Sequence, residues 1–188
     1  MSNWKENVIL VDADHLDATT FNLTIYFERA INRRIPKADL CHWLDCVALD
    51  GGIRQGDNPI QVVFIYSKTK SQLDCFNPSE FVSQLNAQAF KDELGEFELA
   101  SFPVEEVVSK ADFFEQSLEA ILASEQVKRV MVVADLDEYG AQVKMQAQKA
   151  EAKEVTIFSM SPTEERGFKQ ENLGYSLISA LGIKSEEL

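Results

Sequence analysis

The sequence predicts an α/β fold, a three-layer α/β/α sandwich around a mainly parallel, five-stranded sheet. Segments with the composition of strands alternate with segments of helical periodicity almost throughout the 188 residues. The strand segments, such as NVILVD at 7–12 and IQVVFIY at 60–66, are continuous apolar runs. Such runs are typical of parallel strands that are buried on both faces beneath helices.

The first half of the chain supplies two of the five strands. The strand at 7–12 is followed by a helix over about 16–34 with apolar residues at helical spacing. Pro36 suits the first turn of a second helix, which extends to about Leu49. The segment DGGIRQGDNP, at 50–59, is rich in glycine and is predicted as the loop before the second strand.

The second half supplies the other three strands. Pro78 is predicted to begin a helix that ends near Lys91. In KADFFEQSLEAILA, at 110–123, Phe114, Leu118 and Ile121 share one face of a further helix. The remaining predicted elements are strands at 96–102, 129–135 and 154–160, a helix at 138–150 and a C-terminal helix at about 171–182 that Gly182 stops. Because no repeat or linker interrupts this order, residues 1–188 are predicted to form a single domain.

Composition limits the function. The chain has 31 acidic and 18 basic residues and a formal charge of −13, which repels nucleic acid at long range. A local basic patch and a bound cation can make the electrostatic potential of one cleft positive despite the negative net charge. No apolar run approaches the roughly 18 residues that span a bilayer, and no signal peptide is evident. We therefore expect a cytoplasmic protein without a membrane partner.

The segment CHWLDC places Cys41, His42 and Cys46 close together, so a metal site has to be considered. Trp43 and Val47, however, recur at helical spacing through the same segment. The cysteines then fit as small, buried hydrophobic residues. Reduced structural thiols are the preferred interpretation.

Acidic residues follow two of the predicted strands at the point where each strand ends. They are Asp12 and Asp14 after the first strand, and Asp135, Asp137 and Glu138 after the fourth. Ligands of open parallel sheets bind beyond the carboxyl ends of the strands. We therefore expect the carboxylates of Asp12 and Asp135 to lie close together, joined by Asp112 from the preceding helix. Oxygen ligands at this density suit Mg²⁺ or Mn²⁺.

Helix capping is the competing interpretation of each acid taken singly. Asp12 or Asp135 could cap the helix that follows its strand. Asp112 follows Ser109 by the spacing of a helix start that resembles a capping box. Two Asp-x-Asp pairs, each closing an apolar strand, favour a site over capping alone.

This arrangement resembles the NYN family, within the PIN-like nuclease fold. Members have a first strand ending in Asp, a Lys-x-x-Asp-type helix start and a strand ending Ser-Gly-Asp-x-Asp-Phe. The resemblance implies a metal-dependent endoribonuclease in which Mg²⁺ or Mn²⁺ activates water against an RNA phosphodiester. The implied catalytic and metal-binding residues are Asp12, Asp112, Asp135 and Asp137, with Asp14, His15 and Glu138 as accessory residues and Lys68, Lys70 and Lys110 at the RNA backbone.

The chain departs from the NYN pattern at several positions. His15 replaces the usual Asn and is either a proton shuttle or a polar helix-start residue. Glu138 replaces Phe, and Val133 and Ala134 replace the Ser-Gly pair. The family's second helix acid falls at Leu118, with Glu115 or Glu119 as substitutes at another helical angle. These departures allow a degenerate fold that acts as a binding or regulatory module for a basic protein partner. Exposed helix faces also allow a homodimer.

Two further families share part of the pattern. VDADH resembles the haloacid-dehalogenase phosphatases, which implies Asp12 as nucleophile, Asp14 as general acid, Ser67 as second-strand hydroxyl and Lys110 as charge balancer. The usual Thr of that motif is Leu16 here. DLDEYG is similar to the acidic strand end of Toprim domains. Both alternatives imply phosphotransfer chemistry.

Overall fold

The computed structural model describes residues 3–188 of the chain. Its strands in chain order are β1 (Asn7–Asp12), β2 (Ala38–Asp39), β3 (Asn58–Ser67), β4 (Phe76–Asn77), β5 (Gln88–Asp92), β6 (Gly95–Val104), β7 (Arg129–Val133), β8 (Glu154–Ser159) and β9 (Lys169–Asn172). Its α-helices are α1 (Ala13–Ile31), α2 (Leu40–Asp50), α3 (Lys110–Ala123), α4 (Leu136–Lys149) and α5 (Leu173–Ala180). A five-residue π-helix (Phe81–Leu85) and a 3₁₀ turn (Ser185–Glu187) complete the described elements.

Seven strands form one sheet in the order β5-β6-β3-β1-β7-β8-β9. Every neighbouring pair is parallel except β5 and β6, which are antiparallel. β2 and β4 pair separately in parallel. The predicted α/β class with a mainly parallel sheet is confirmed. The sheet is wider than the predicted five strands because β5 and β9 extend its two edges.

Helices pack on both faces of this sheet, and alternate residues of β1 show the division. Ile9 and Val11 belong to a buried cluster with residues of α1, α2 and α5. Val8 and Leu10 belong to a second buried cluster with residues of α3 and α4. All four side chains are inaccessible to solvent, which explains the continuous apolar run of this strand. Because β1 is parallel to both β3 and β7, the carboxyl ends of these three strands lie side by side at the same end of the sheet.

The starts of the first two helices differ from the prediction. α1 begins at Ala13, directly after β1, and ends before Asn32, which has a left-handed φ of 54°. The predicted helix start at Pro36 is wrong. Pro36 lies in an irregular segment before β2, and α2 begins only at Leu40, where Asp39 caps it by accepting the backbone N–H of His42.

The predicted helix from Pro78 to Lys91 is also wrong. Only the π-helix forms, and the chain then turns through Ala87, whose φ is 59°, into β5. Phe90 of β5 stacks on Phe97 of β6 with ring centroids 4.5 Å apart. Antiparallel pairing with β6, the next strand along the chain, thus determines the conformation of a segment whose own pattern favours a helix.

The C-terminal helix is shorter than predicted. Residues 169–172 form β9 beside β8, and α5 begins only after Asn172, whose side chain accepts the backbone N–H of Tyr175. The helix ends at Ala180, before Gly182. The predicted helix at 110–123 and the strands that became β1, β7 and β8 are confirmed. Among residues 3–188, no helix combines the length and apolar character needed to cross a membrane.

Candidate functional site

Asp12 ends the central strand and is fully buried, with side-chain exposure of 0%. Its Oδ1 accepts the backbone N–H of His15 at 3.1 Å, which caps α1, and lies 3.3 Å from Nζ of Lys110. Its Oδ2 accepts the hydroxyl of Tyr139 at 2.5 Å. Both carboxylate oxygens are therefore engaged within the protein.

Lys110, the first residue of α3, lies between two carboxylates. Its Nζ is 3.3 Å from Oδ2 of Asp14 as well as from Asp12. Ser67, at the end of β3, donates its hydroxyl to the same Asp14 oxygen at 2.5 Å and its backbone N–H at 3.0 Å. Burial alone would lower the pKa of Lys110, but the two carboxylates outweigh it and raise this pKa above its ordinary value. We call Asp12, Asp14, Ser67, Lys110 and Tyr139 the Lys110 network.

The first turn of α4 places Tyr139 in this network. Asp135 caps the helix by accepting the backbone N–H of Glu138 at 3.2 Å. Tyr139 then departs from helical geometry, with φ −137° and ψ 29°, and its ring lies 5.2 Å from that of Phe114. Burial and the neighbouring Asp12 carboxylate raise the pKa of Tyr139 far above its ordinary value. The phenol consequently remains a proton donor to Asp12.

Removing this donor tests the network. We expect Tyr139→Phe to lower the free energy of unfolding by about 1–3 kcal/mol, because Oδ2 of the buried Asp12 loses its hydrogen bond. Urea unfolding followed by circular dichroism measures the change. Tyr175→Phe is the matched control, since Tyr175 is 74% exposed. An equal effect of the two substitutions would contradict the role assigned to the Tyr139 hydroxyl.

A cleft of about 940 Å³ opens beside the network, beyond the carboxyl ends of β1, β7 and β8. One wall is the exposed face of α1, and the other two are the start of α4 and the segment after β8. Its lining residues are His15, Ala18, Thr19, Asn22, Leu23, Tyr26, Ala134, Asp135, Leu136, Asp137, Glu138, Lys144, Ser159, Met160, Ser161 and Thr163. Tyr26 and Met160 are 65% and 41% exposed. The cleft thus combines acids with accessible apolar surface.

The charge of this cleft is negative. Nδ1 of His15 lies 3.9 Å from Oδ2 of Asp135. Asp137 and Glu138 are exposed at the start of α4. The ammonium of Lys144 is already paired with Glu165, at 3.0 Å. The acids at the start of α4 therefore dominate the local field.

The predicted site residues separate into three groups. Asp12, Asp14 and Lys110 meet in the Lys110 network, together with Ser67, the residue that the haloacid-dehalogenase comparison named. His15, Asp135, Asp137 and Glu138 line the cleft. The others lie elsewhere: Asp112 is exposed at the start of α3, Lys68 pairs with Glu105 at 3.1 Å, and Lys70 pairs with Asp74 at 3.6 Å.

Asp112 has a role of its own at the start of α3, apart from the expected convergence with Asp12 and Asp135. The backbone N–H of Asp112 is accepted by the Ser109 hydroxyl at 3.1 Å, which is the capping role that competed with the site. Lys110, rather than Asp112, extends from α3 towards Asp12. Within residues 3–188, no group of three or more His, Cys, Asp or Glu side chains is arranged to hold a metal ion. At the inner carboxylates of Asp12 and Asp14 the protein itself supplies a positive charge, since the Lys110 ammonium lies 3.3 Å from each.

The cysteine segment agrees with the interpretation as structural thiols. Cys41, Cys46 and Cys75 are free and half-buried, and burial is the main cause that raises the pKa of each thiol. Nε2 of His42 is hydrogen-bonded to the Ser179 hydroxyl at 2.8 Å. This bond joins α2 to α5.

The sequence analysis does not single out three residues that the structure places in the Lys110 network or the cleft. They are Tyr139, Tyr26 and Met160. Tyr139 follows Asp135 by one helical turn in DLDEYG, and this spacing is the one signal that could have drawn attention to it. Tyr26 and Met160 carry no such signal, because exposed apolar residues are common on any surface.

The fold and the position of the cleft define an α/β protein with an open, mostly parallel sheet and a cleft at the carboxyl ends of its strands. The chain belongs to a family of unknown function, DUF6621, whose model matches residues 1–188. The identification with the NYN family is thereby corrected, since no NYN or PIN-like family was detected. No curated protein matches the chain, and no solved structure matches it.

Proposed function

We propose that this protein is a non-catalytic binding module, built on a three-layer α/β/α fold, whose acidic cleft receives a cationic segment of a partner protein. The observation that carries the proposal is the Lys110 network. Its ammonium compensates the inner carboxylates of Asp12 and Asp14, at 3.3 Å from each. Asp135, Asp137 and Glu138 are left at the cleft for an external cation.

The burial of Asp12 supports a structural role for this residue. A nucleophile or metal ligand needs at least one oxygen that a substrate or ion can approach. Asp12 is inaccessible to solvent. Its oxygens accept hydrogen bonds from the backbone N–H of His15 and the hydroxyl of Tyr139, and they form an ion pair with Lys110. Breaking such bonds within a buried network is costly, so the arrangement favours a rigid scaffold over a reacting group.

The composition of the cleft supports a basic ligand. Carboxylates at the start of α4 attract guanidinium and ammonium groups. Leu23, Tyr26 and Met160 offer apolar contact to the aliphatic stems of Arg and Lys, and Tyr26 can also stack on a guanidinium. A volume of about 940 Å³ accommodates a few side chains rather than a folded domain. The formal charge of −13 further steers a basic partner to the surface.

A peptide titration tests this proposal. A fluorescently labelled oligo-arginine peptide is expected to bind the wild type, and the double variant Asp135→Asn, Asp137→Asn is expected to weaken binding by about tenfold or more. Fluorescence polarisation at about 0.15 M salt, where only short-range charge attraction persists, measures both affinities.

The control variant carries Glu125→Gln and Glu151→Gln, which remove the same charge from exposed positions that do not line the cleft. Binding that weakens equally in both double variants would show that net charge alone attracts the peptide. That result, or no binding by the wild type, would overturn the proposal.

Phosphotransfer is the second candidate, because Asp12, Asp14, Ser67 and Lys110 converge as the haloacid-dehalogenase comparison requires. In that interpretation Asp12 would attack a phosphoryl group, and its burial is the observation that opposes it. Hydrolysis of an aryl phosphate by the wild type in buffer containing Mg²⁺ would support this candidate.

The predicted metal-dependent RNA cleavage is tested by calorimetric Mn²⁺ titration of the wild type beside Asp135→Asn. Mn²⁺ binding by the wild type that Asp135→Asn abolishes would favour a metal site at the cleft over the peptide site.

A further inference from the structure

One face of α1 is left uncovered by the rest of the chain. Ala18, Asn22, Tyr26 and Arg29 are exposed along it, and His15 is partly exposed at its first turn. Residues three or four positions apart lie on the same face of a helix, so these five form one line, the α1 stripe. Tyr26 is 65% exposed. Because Tyr and Arg are enriched in protein–protein interfaces, the composition of the stripe favours contact with a protein.

The spacing of the α1 stripe is symmetric about Asn22. Ala18 and Tyr26 lie four residues before and after Asn22, and His15 and Arg29 lie seven residues before and after it. When a second α1 lies antiparallel on the stripe with the two-fold axis at Asn22, Tyr26 of each copy faces the partner's Ala18. The small Ala18 side chain leaves room for the ring, and the two Asn22 amides can hydrogen-bond to each other. The same register brings Arg29 of each copy to the His15 end of the other helix.

A basic segment, residues 29–37, follows from the C-terminal end of the stripe. RAINRRIPK holds four of the chain's 18 basic residues and no acidic residue, although the net charge of the chain is −13. Arg33 is paired with Glu187 at 2.7 Å, and the neighbouring Glu28 accepts the backbone N–H of Ile35 at 2.8 Å. The other three basic residues are exposed and form no ion pair within residues 3–188: Arg29, Arg34 and Lys37. Their charges are therefore free to pair with another molecule.

The N-terminal end of the stripe has the opposite charge. Nδ1 of His15 lies 3.9 Å from Oδ2 of Asp135, and Asp137 and Glu138 are exposed on the adjoining turn of α4. Between the two ends, residues 18–27 carry no charge. Two copies of a chain with a net charge of −13 repel each other unless the surfaces in contact are neutral or pair opposite charges. Antiparallel contact along the stripe meets both conditions.

We propose that the protein forms a two-fold symmetric dimer in which the α1 helices of two copies pack antiparallel along the α1 stripe, and Arg29 of each copy enters the acidic cleft of the other. This inference rests on the proposed function, because it identifies the cationic segment that the cleft receives as residues 29–37 of a second copy. Tyr26 and Met160, which line the cleft, then become covered by the partner. Each contact occurs twice in such an interface, so both clefts are filled and the assembly closes at two copies.

Disulfide trapping tests the register of the two helices. Asn22→Cys is expected to give a disulfide-linked dimer under mild oxidation, because the two copies of residue 22 face each other at the axis. Ala18→Cys is the matched control. Residue 18 of one copy lies opposite residue 26 of the other, so the two copies of residue 18 are about 12 Å apart along the helix, beyond the reach of a disulfide.

The wild type shows how much linkage the three native cysteines, which are free, contribute under the same conditions. Equal trapping of Asn22→Cys and Ala18→Cys would indicate a different arrangement of the helices and would overturn the proposal. Failure of Asn22→Cys to link above the wild-type level would overturn it as well.

Charge reversal tests the contact between Arg29 and the cleft. Arg29→Glu is expected to weaken dimerisation by about tenfold or more, since a carboxylate then faces the acids of the partner. Combining Arg29→Glu with Asp137→Arg restores opposite charges and should recover the dimer. Lys128→Glu makes the same change of charge at an exposed position just before β7, at the opposite end of the sheet from the cleft. Sedimentation velocity over a range of protein concentrations up to about 100 μM measures all four proteins.

The outcomes separate this dimer from the proposed function. A wild type that remains monomeric, equal weakening by Arg29→Glu and Lys128→Glu, or no recovery in the charge-swapped variant would overturn the dimer. A monomeric wild type that still binds oligo-arginine through Asp135 and Asp137 would retain the proposed function without the dimer. If the dimer forms, Arg29→Glu should bind the peptide more tightly than Lys128→Glu does, because its cleft is no longer occupied.

Discussion

Replacing Lys110 with Met is expected to lower the free energy of unfolding by about 3 kcal/mol at neutral pH. The substitution retains the volume of the side chain but removes the cation that lies 3.3 Å from both Asp12 and Asp14. Removing one partner of a buried ion pair leaves the other charge without compensation, which costs about 3–5 kcal/mol. We take the lower limit because the Lys110 side chain is 20% exposed and solvent screens part of the charge.

Urea unfolding at about pH 7.5 measures the difference between Lys110→Met and the wild type. Lys128→Met is the control, because Lys128 is exposed. Equal stability of Lys110→Met and Lys128→Met at neutral pH would show that the Lys110 ammonium does not stabilise the fold through Asp12 and Asp14.

Replacing Gly95 with Ala is expected to have a similarly large effect, about 3 kcal/mol, by a different mechanism. Gly95 has a φ of +136°, and a Cβ atom there would lie 2.0 Å from the carbonyl oxygen and 2.6 Å from the nitrogen of Asn58. Neither backbone atom can move without disturbing the register of β3 and β6, which begins at the pair of Asn58 and Gly95.

Gly182→Ala separates steric overlap from backbone strain. Gly182 has a φ of +74°, and a Cβ atom there meets nothing within 4 Å. Its replacement should therefore cost only the strain of the left-handed conformation, about 1 kcal/mol. Thermal and urea unfolding of both variants provide the comparison. If Gly95→Ala and Gly182→Ala lower the free energy of unfolding equally, the backbone at the start of β3 and β6 moves to accommodate the added methyl group.

The centre of the sheet could be predicted from sequence because its strands are buried on both faces. β1, β7 and β8 appear as uninterrupted apolar runs, and α3 shows its buried face through Phe114, Leu118 and Ile121. The edges could not be predicted in this way. β5 is the segment QAFKD and β9 is KQEN, and both have too little buried surface to impose a pattern. Their conformation depends on a neighbouring strand.

The position of the cleft, but not the arrangement of the side chains beside it, could be anticipated from the sequence. The acids that follow β1 and β7 lie at the carboxyl ends of the strands, and the cleft opens there. Which carboxylate is buried depends on Lys110 and Tyr139, and Tyr139 lies 127 residues from Asp12 along the chain. The spacing of acids also suggested Asp112 as a partner of Asp12. The orientation of α3 instead brings Lys110 to that position, and this orientation is fixed by tertiary packing.

The central place of β1 has a consequence for how the chain reaches its native state. Asn7 donates its side-chain amide to Pro59, 52 residues away, and its side-chain oxygen accepts a hydrogen bond from Arg129, 122 residues away. Such distant partners give a high contact order, which slows folding because large loops must close before these contacts form. During synthesis, the first apolar strand must remain unpaired on one side until β7 has emerged from the ribosome. Nascent chains of this protein are therefore expected to depend on chaperones that shield exposed strands until the sheet is complete.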